Sequence, residues 1–204
     1  LYLKEGSSII VKDAVMALIV KSANDVAAVV AEHIAGTERD FAKLMTKYAK
    51  KIGMEKTTFK NASGLPNRAQ LTTARDIATL SYELINKHPE KYKLFKEEKF
   101  IWKGKTYKSH NKLMKSYEGA DGIKTGYIKA SGFQLAFSAT RKEKRLIGIY
   151  FGGDSGRQRD SSLAFLMNKE FEELNLGTKK IKEKIQNTGN YKIVVGTFKY
   201  RKNA

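Results

Sequence analysis

No cysteine occurs among the 204 residues, which excludes disulfides, thiolate zinc sites and a cysteine nucleophile, and which fits an extracytoplasmic protein as well as a cytosolic one. Histidine is nearly absent too. His33, His88 and His110 have neither metal-ligand spacing nor a paired carboxylate, so they support no zinc site and no Ser-His-Asp triad. No apolar run approaches the roughly 18 residues of a membrane span, so any anchor is expected outside this stretch. The chain opens on Leu1-Tyr2-Leu3-Lys4-Glu5-Gly6 with no Met and no leader composition, which reads as an upstream part being missing. Acidic residues are scarce: 21 Asp and Glu face 39 Lys and Arg, for a net charge of +18. That balance could suit nucleic acid, an anionic membrane surface or an anionic wall polymer. It comes mostly from lysines spread along the chain with no nucleic-acid-binding motif beside them, so solvated lysine faces are the simpler reading.

What is present argues for a folded domain. A hydrophobic fraction of 41%, with ten Phe and ten Tyr, supplies enough apolar surface to offset chain entropy, and the length favours one domain plus an appendage. Val11 to Val20 reads as a buried helix and Asp25 to Ala35 as a second, with Val26, Val29, Val30 and Ile34 at helical spacing and Gly36 as its terminator. Ser22-Ala23-Asn24 is the polar joint between them. Thr37 to Asp40 resembles a capping box, opening a helix through Phe41, Leu44, Met45 and Tyr48 that stops near Gly53. Phe59 to Asn67 has the Asn, Gly and Pro of an ordered loop. Thr73 caps a helix with Ile77, Leu80, Leu84 and Ile85 inward, which ends at His88-Pro89.

Beyond Lys99 the period shifts toward two. Phe100 to Trp102 and Thr106 to Lys108 read as a hairpin turning at Lys103 to Lys105. Gly122 to Tyr127, Phe133 to Thr140 and Arg145 to Phe151 read as three strands, the last two joined at Arg141 to Lys144 as antiparallel neighbours. Asp160 to Phe171 returns to helix, with Leu163, Leu166 and Met167 on one face. Residues 177–190 read as a linker, and Tyr191 to Phe198 as a strand that stops almost at once.

Two short motifs carry chemistry. Lys124-Thr125-Gly126, inside a strand, sets an ammonium, a hydroxyl and bare backbone in consecutive positions, which suits a small carboxylate-bearing ligand along a strand edge. Ser22 and Asn24 offer a hydroxyl and an amide where two apolar helices meet. Taken singly, the first is equally a solvent-facing lysine before a bulge, and the second a helix cap.

Together, in this order, they are two of the three elements of the penicillin-binding protein and class A β-lactamase signature, a Ser-x-Asn triplet and Lys-Thr-Gly. The text around them resembles the low-molecular-mass D-alanyl-D-alanine carboxypeptidases of the serine DD-peptidase family: Glu5-Gly6, Val11-Lys12-Asp13, Asn61-Ala62-Ser63-Gly64-Leu65-Pro66, Thr73-Ala74-Arg75-Asp76, Asn111-Lys112-Leu113, Asp121 to Gly126, Leu146-Ile147-Gly148 and Gly152-Gly153. Class A β-lactamases lack the Asn-Ala-Ser-Gly-Leu-Pro loop, so the carboxypeptidase branch is preferred.

The resemblance implies a mixed α/β fold: an antiparallel sheet flanked by helices, with a cleft between the strand edge at Lys124 and the helical part bearing Ser22. It implies residues 1–176 as the C-terminal part of the peptidase domain; separately, Tyr191 to Phe198 with Asn203-Ala204, within 191–204, resembles the first strand of a SPOR peptidoglycan-binding module. By the same resemblance Ser22 relays protons and Asn24 hydrogen-bonds the substrate's peptide carbonyl side. Lys124 supplies positive potential, Thr125 binds the terminal carboxylate beside Gly126, Tyr127 lends its backbone N–H to the oxyanion hole, and Arg159 binds carboxylate, with Arg157 as the fallback.

The activity implied is removal of the terminal D-alanine of peptidoglycan stem peptides through an acyl-enzyme, with β-lactam antibiotics acylating the same serine, outside the cytoplasm. No cofactor, metal or nucleic acid is implied; peripheral membrane association is open for a full-length protein. Two positions depart from the family pattern: Ala23 stands where Gly is frequent, and Ile128 replaces a common Thr near the cleft. The family's S-x-x-K, which provides the attacking serine and its base, is not found ahead of Ser22. Ser109-His110-Asn111-Lys112 has that spelling, but it follows the triplet and falls in a predicted loop. On this reading the 204-residue chain is inactive, and a wall-binding pseudoenzyme is the alternative.

Overall fold

The computed structural model describes residues 1–175 and 191–195, arranged as two units, Leu1–His110 and Asn111–Ala204. In the first unit, α1 (Val11–Met16) runs directly into a π-type segment, Ala17–Lys21, which ends when Ser22 takes up the left-handed conformation (φ 57°, ψ 49°). The expected single helix is therefore two pieces, and Val11, on its first turn, is exposed. Its buried side is Ala14, Met16, Ala17 and Val20, packed with Ala23, Val26 and Phe100.

α2 (Asn24–Ala35) ends at Gly36, whose φ of 78° suits a residue without Cβ. α3 (Glu38–Lys51) opens on Thr37, whose Oγ1 accepts from the Asp40 N–H and donates to the Asp40 carboxylate, as the capping pattern requires. The inward faces differ from expectation. α2 buries Val26, Ala27 and Ala31 while Val29 and Ile34 are 40% and 56% exposed, and α3 buries Ala42 and Ala49 while Leu44 and Tyr48 are exposed. Alanines let α2 and α3 approach closely, which displaces the bulkier side chains to the rim of their contact.

The loop after α3 is tied by its own amides: Asn61 Oδ1 accepts from the Gly64 N–H, Asn61 Nδ2 donates to the Leu65 carbonyl, and Gln70 Oε1 accepts from the Lys60 and Asn61 N–H groups. α4 (Ala74–Lys87) is capped by Thr73, and its buried Asp76 accepts from the Lys56 N–H and the Thr57 hydroxyl. Pro89 opens the short α5 (Pro89–Tyr92), where a missing N–H costs nothing. β1 (Lys99–Trp102) and β2 (Lys105–Lys108) then form an antiparallel hairpin that packs on the π segment. Lys103 and Gly104 both have positive φ, the two-residue turn that matches strand twist. Lys105, expected in the turn, pairs with Trp102 instead.

The second unit begins with α6 (Leu113–Ser116) and is built on a sheet in the order β3 (Ala120–Ile128), β4 (Gly132–Arg141), β5 (Lys144–Gly153) and β6 (Tyr191–Val195). The first three are antiparallel, β4 and β5 joined by a tight turn at Lys142-Glu143, and β6 lies parallel to β5. The proposed linker 177–190 and residues 196–204 lie outside the described residues.

α7 (Gly156–Asn175) starts four residues earlier than expected and lays Leu163, Met167 and Phe171, one turn apart, on Leu135, Phe137, Leu146 and Tyr150 of the sheet. Burying each of these large side chains stabilises the fold by roughly 1.5–3 kcal/mol. Their approach is close at Gly148, where a Cβ would stand 2.8 Å from Met167 Sδ and 2.9 Å from Leu163 Cδ1. An antiparallel sheet core flanked by helices is the fold class expected.

Candidate active site

In the first unit, the joint between the π segment and α2 holds Ser22 and Asn24 apart from ordinary helix duties. The N-cap of α2 is Ala23, with no side-chain cap bond, and Asn24 is the first helical residue. Neither Ser22 nor Asn24 is therefore the capping residue that its type suggests. Both side chains are exposed and neither has a hydrogen-bond partner among the described residues. Left-handed backbone at a residue with a Cβ costs roughly 1–2 kcal/mol, and such positions concentrate where function needs a side chain aimed in one direction. Buried Ala23 between them pins the joint into the apolar cluster.

In the second unit, Lys124, Thr125 and Gly126 lie on β3, which among the described residues pairs only with β4 and so forms an edge of the sheet. This is the placement a strand-edge ligand site requires. Two buried side chains fix the start of the strand. Asn111 Nδ2 donates to the Gly122 carbonyl at 3.4 Å, and Asp121 pairs with Arg145 at 2.5 Å, which also donates to Ser138 Oγ at 2.7 Å. The half-buried Lys124 ammonium donates to the Thr125 carbonyl at 3.0 Å and has no carboxylate partner among the described residues. Burial disfavours its charged form and pushes its pKa down from 10.5 to about 8. An ammonium short of compensation, on a strand edge, is suited to attract an anionic group or to exchange a proton near neutral pH.

Tyr127 is exposed, its ring 4.5 Å from that of Phe133, its partner across the ladder. Arg159, on the first turns of α7, is only 4% exposed. Its Nε and Nη2 donate to Asp160 Oδ1 at 2.9 and 2.7 Å, and its Nη1 donates to the Gln134 carbonyl at 3.2 Å. Gln134 is the ladder partner of Gly126, so Arg159 is held against the strand that backs the Lys-Thr-Gly edge. Arg157, the fallback, is exposed. Sequence reasoning missed Asp160 and Gln134; the Arg159-Asp160 dipeptide was the available signal for the first, and nothing local marks the second. Ser109 lies in the loop after β2, not on a helix with Lys112 one turn away, as its exclusion as nucleophile anticipated.

Lys-Thr-Gly on an edge strand of one unit and Ser-x-Asn at a left-handed joint of the other are the two motifs this chain shares with the penicillin-recognising class. The chain belongs to the Peptidase S11 family, D-alanyl-D-alanine carboxypeptidase, whose profile matches residues 1–155. Among relatives, it is 36% identical over 168 residues to D-alanyl-D-alanine carboxypeptidase DacD of Escherichia coli, which covers 82% of this chain and 43% of that protein. It is also similar to the crystal structure of D-alanyl-D-alanine carboxypeptidase DacD from Francisella tularensis, with TM-score 0.80, 28% identity, and coverage of 83% of this chain and 54% of that one. Penicillin-Binding Protein D2 from Listeria monocytogenes, in its ampicillin-bound form, matches with TM-score 0.73 at 33% identity over 80% of this chain and 68% of that one. The chain thus spans less than half the length of the Escherichia coli relative.

Proposed function

We propose that this chain carries the substrate-recognising and proton-relaying part of a serine-type D-Ala-D-Ala carboxypeptidase acting on peptidoglycan stem peptides outside the cytoplasm. The observation that carries the reading is the Lys124 ammonium, half-buried on a sheet edge with no carboxylate beside it among the described residues. A D-alanine carboxylate would supply the missing charge, and the Thr125 hydroxyl would add a hydrogen bond to it. Gly126 leaves the edge open to a peptide lying along β3, and the Tyr127 N–H would donate to the oxyanion, worth about 3 kcal/mol in the transition state. Arg159 adds positive potential from behind the strand. Ser22 and Asn24 act on the same substrate, the hydroxyl passing a proton between the attacking and leaving groups and the amide holding the peptide carbonyl. The attacking serine and its lysine base belong to an S-x-x-K that these 204 residues do not contain ahead of Ser22.

Fluorescent penicillin tests this. The 204-residue chain should remain unlabelled and should leave D-Ala-D-Ala peptides intact, whereas a form with S-x-x-K about forty to seventy residues ahead of Ser22 should be acylated. Labelling of the chain itself would show that the nucleophile has been misplaced.

A second reading, a wall-binding pseudoenzyme, applies if the whole protein carries no S-x-x-K ahead of Ser22. Retention on purified peptidoglycan, with no penicillin labelling of any longer form, would select it.

A further inference from the structure

Two ammoniums converge on the ring of Tyr107: Lys21 Nζ stands 5.6 Å from its centroid and Lys105 Nζ 5.4 Å. Lys21 ends the π segment and immediately precedes Ser22, while Lys105 and Tyr107 belong to the hairpin packed on that segment. Lys103 Nζ lies 5.5 Å from the ring of Trp102, which pairs with Lys105 across the ladder. None of these three lysines has a carboxylate partner among the described residues. Like charges gathered around one ring repel each other, and ring faces offset that only in part. An anion at the same place would relieve it.

We propose that Lys21, Lys105 and Tyr107 form a second recognition point beside Ser22, which takes a carboxylate carried by the substrate peptide upstream of its D-Ala-D-Ala end. This rests on the reading of Ser22 as part of the substrate site. Alternation along the hairpin separates this group from the other basic residues. Lys105 and Tyr107 share the face of Phe100 and Trp102, whereas Lys99 and Lys108, directly opposite each other, point the other way with Ile101 and Thr106. A long polyanion would use a continuous row of charge; two ammoniums around one aromatic ring suit a single carboxylate on a short apolar stem. Lys21 and Ser22 are consecutive, so a peptide reaching Ser22 passes close to the segment that carries Lys21.

Trp102 is the chain's one tryptophan, and its fluorescence reports on the hairpin. The 204-residue chain is titrated with acetyl-Glu-D-Ala-D-Ala and with its neutral counterpart acetyl-Gln-D-Ala-D-Ala. The acidic peptide should bind about five to ten times more tightly at low salt, the advantage shrinking as salt rises. Lys21→Gln with Lys105→Gln should erase that advantage and leave the neutral peptide's affinity unchanged, while Lys142→Gln, in the β4–β5 turn, should preserve it. Equal binding of the two peptides by the unaltered chain, or an advantage that survives the double substitution, sinks the second recognition point alone. Failure of both peptides to bind at all removes the substrate-site reading with it. Lysine-dependent binding of poly(glycerol phosphate) without discrimination between the peptides would overturn the proposal in favour of a polymer.

Discussion

The Gln134 backbone carbonyl accepts a 3.2 Å hydrogen bond from Arg159, and through its ladder pairing with Gly126 it joins the start of α7 to the strand edge bearing Lys124 and Thr125. Arg159 is thereby a part of the fold that backs the Lys-Thr-Gly strand. The guanidinium's other contact is Asp160, which is itself nearly buried. Asp160→Ala would leave a buried guanidinium without its counter-ion, and the expected cost is roughly 3 kcal/mol. Thermal unfolding of the 204-residue chain should show a clear fall in midpoint; an unchanged midpoint would mean that solvent already compensates the arginine.

Lys124 should leave a signature in stability against pH. Its folded pKa, about 8, is lower than the ordinary 10.5, because burial penalises the charged form. Below about 8 both states hold the proton, and above about 10.5 neither does. Between those values the unfolded chain keeps a proton that the folded chain has released, so stability rises with pH across that window. Denaturant unfolding at pH 8 and pH 10 should therefore show a gain for the native chain that Lys124→Met lacks, after the same background titrations are subtracted. A carboxylate ligand needs the charged form, so its affinity should fall over the same range.

At Ser22 stability and function should separate. A glycine tolerates φ 57° without the Cβ penalty, and after its own entropic cost the net gain is about 0.5–1 kcal/mol. Ser22→Gly should thus raise the unfolding midpoint of this chain slightly. In a form that carries S-x-x-K, the same change should slow turnover by roughly a hundredfold or more, the scale of a lost proton relay. A substitution that lowered stability and left turnover intact would make Ser22 an ordinary joint residue.

Gly148 should be intolerant for packing reasons alone. The added methyl of Gly148→Ala would meet Met167 Sδ and Leu163 Cδ1 at under 3 Å, so the buried ends of those two side chains must repack. Overpacking of this kind costs typically 1–3 kcal/mol. The double variant Gly148→Ala/Met167→Ala should lose less stability than the sum of the two single losses, a coupling that calorimetry can measure.

Features set by nearest neighbours were readable in the chain. Thr37 and Thr73 cap their helices because the partner N–H lies three residues on, and the β4–β5 turn follows from polar residues between two apolar alternations. The edge position of Lys-Thr-Gly was anticipated from its chemistry. What tertiary packing decides was not readable. Periodicity placed Val29, Ile34, Leu44 and Tyr48 inward, but alanines form the actual seam between α2 and α3. Helix propensity cannot show that Ala17–Lys21 widens and leaves Ser22 left-handed, nor that Arg159's fork is already engaged by its own neighbour. Those are the positions where the site departs from local preference.

The most direct test is a titration of isotopically labelled 204-residue chain with D-Ala-D-Ala, followed by NMR at the amides of Asn24 and Thr125. Both signals should move along one saturation curve with a single dissociation constant. If only one of them responds, or the two report different affinities, the triplet and the strand edge do not serve the same ligand.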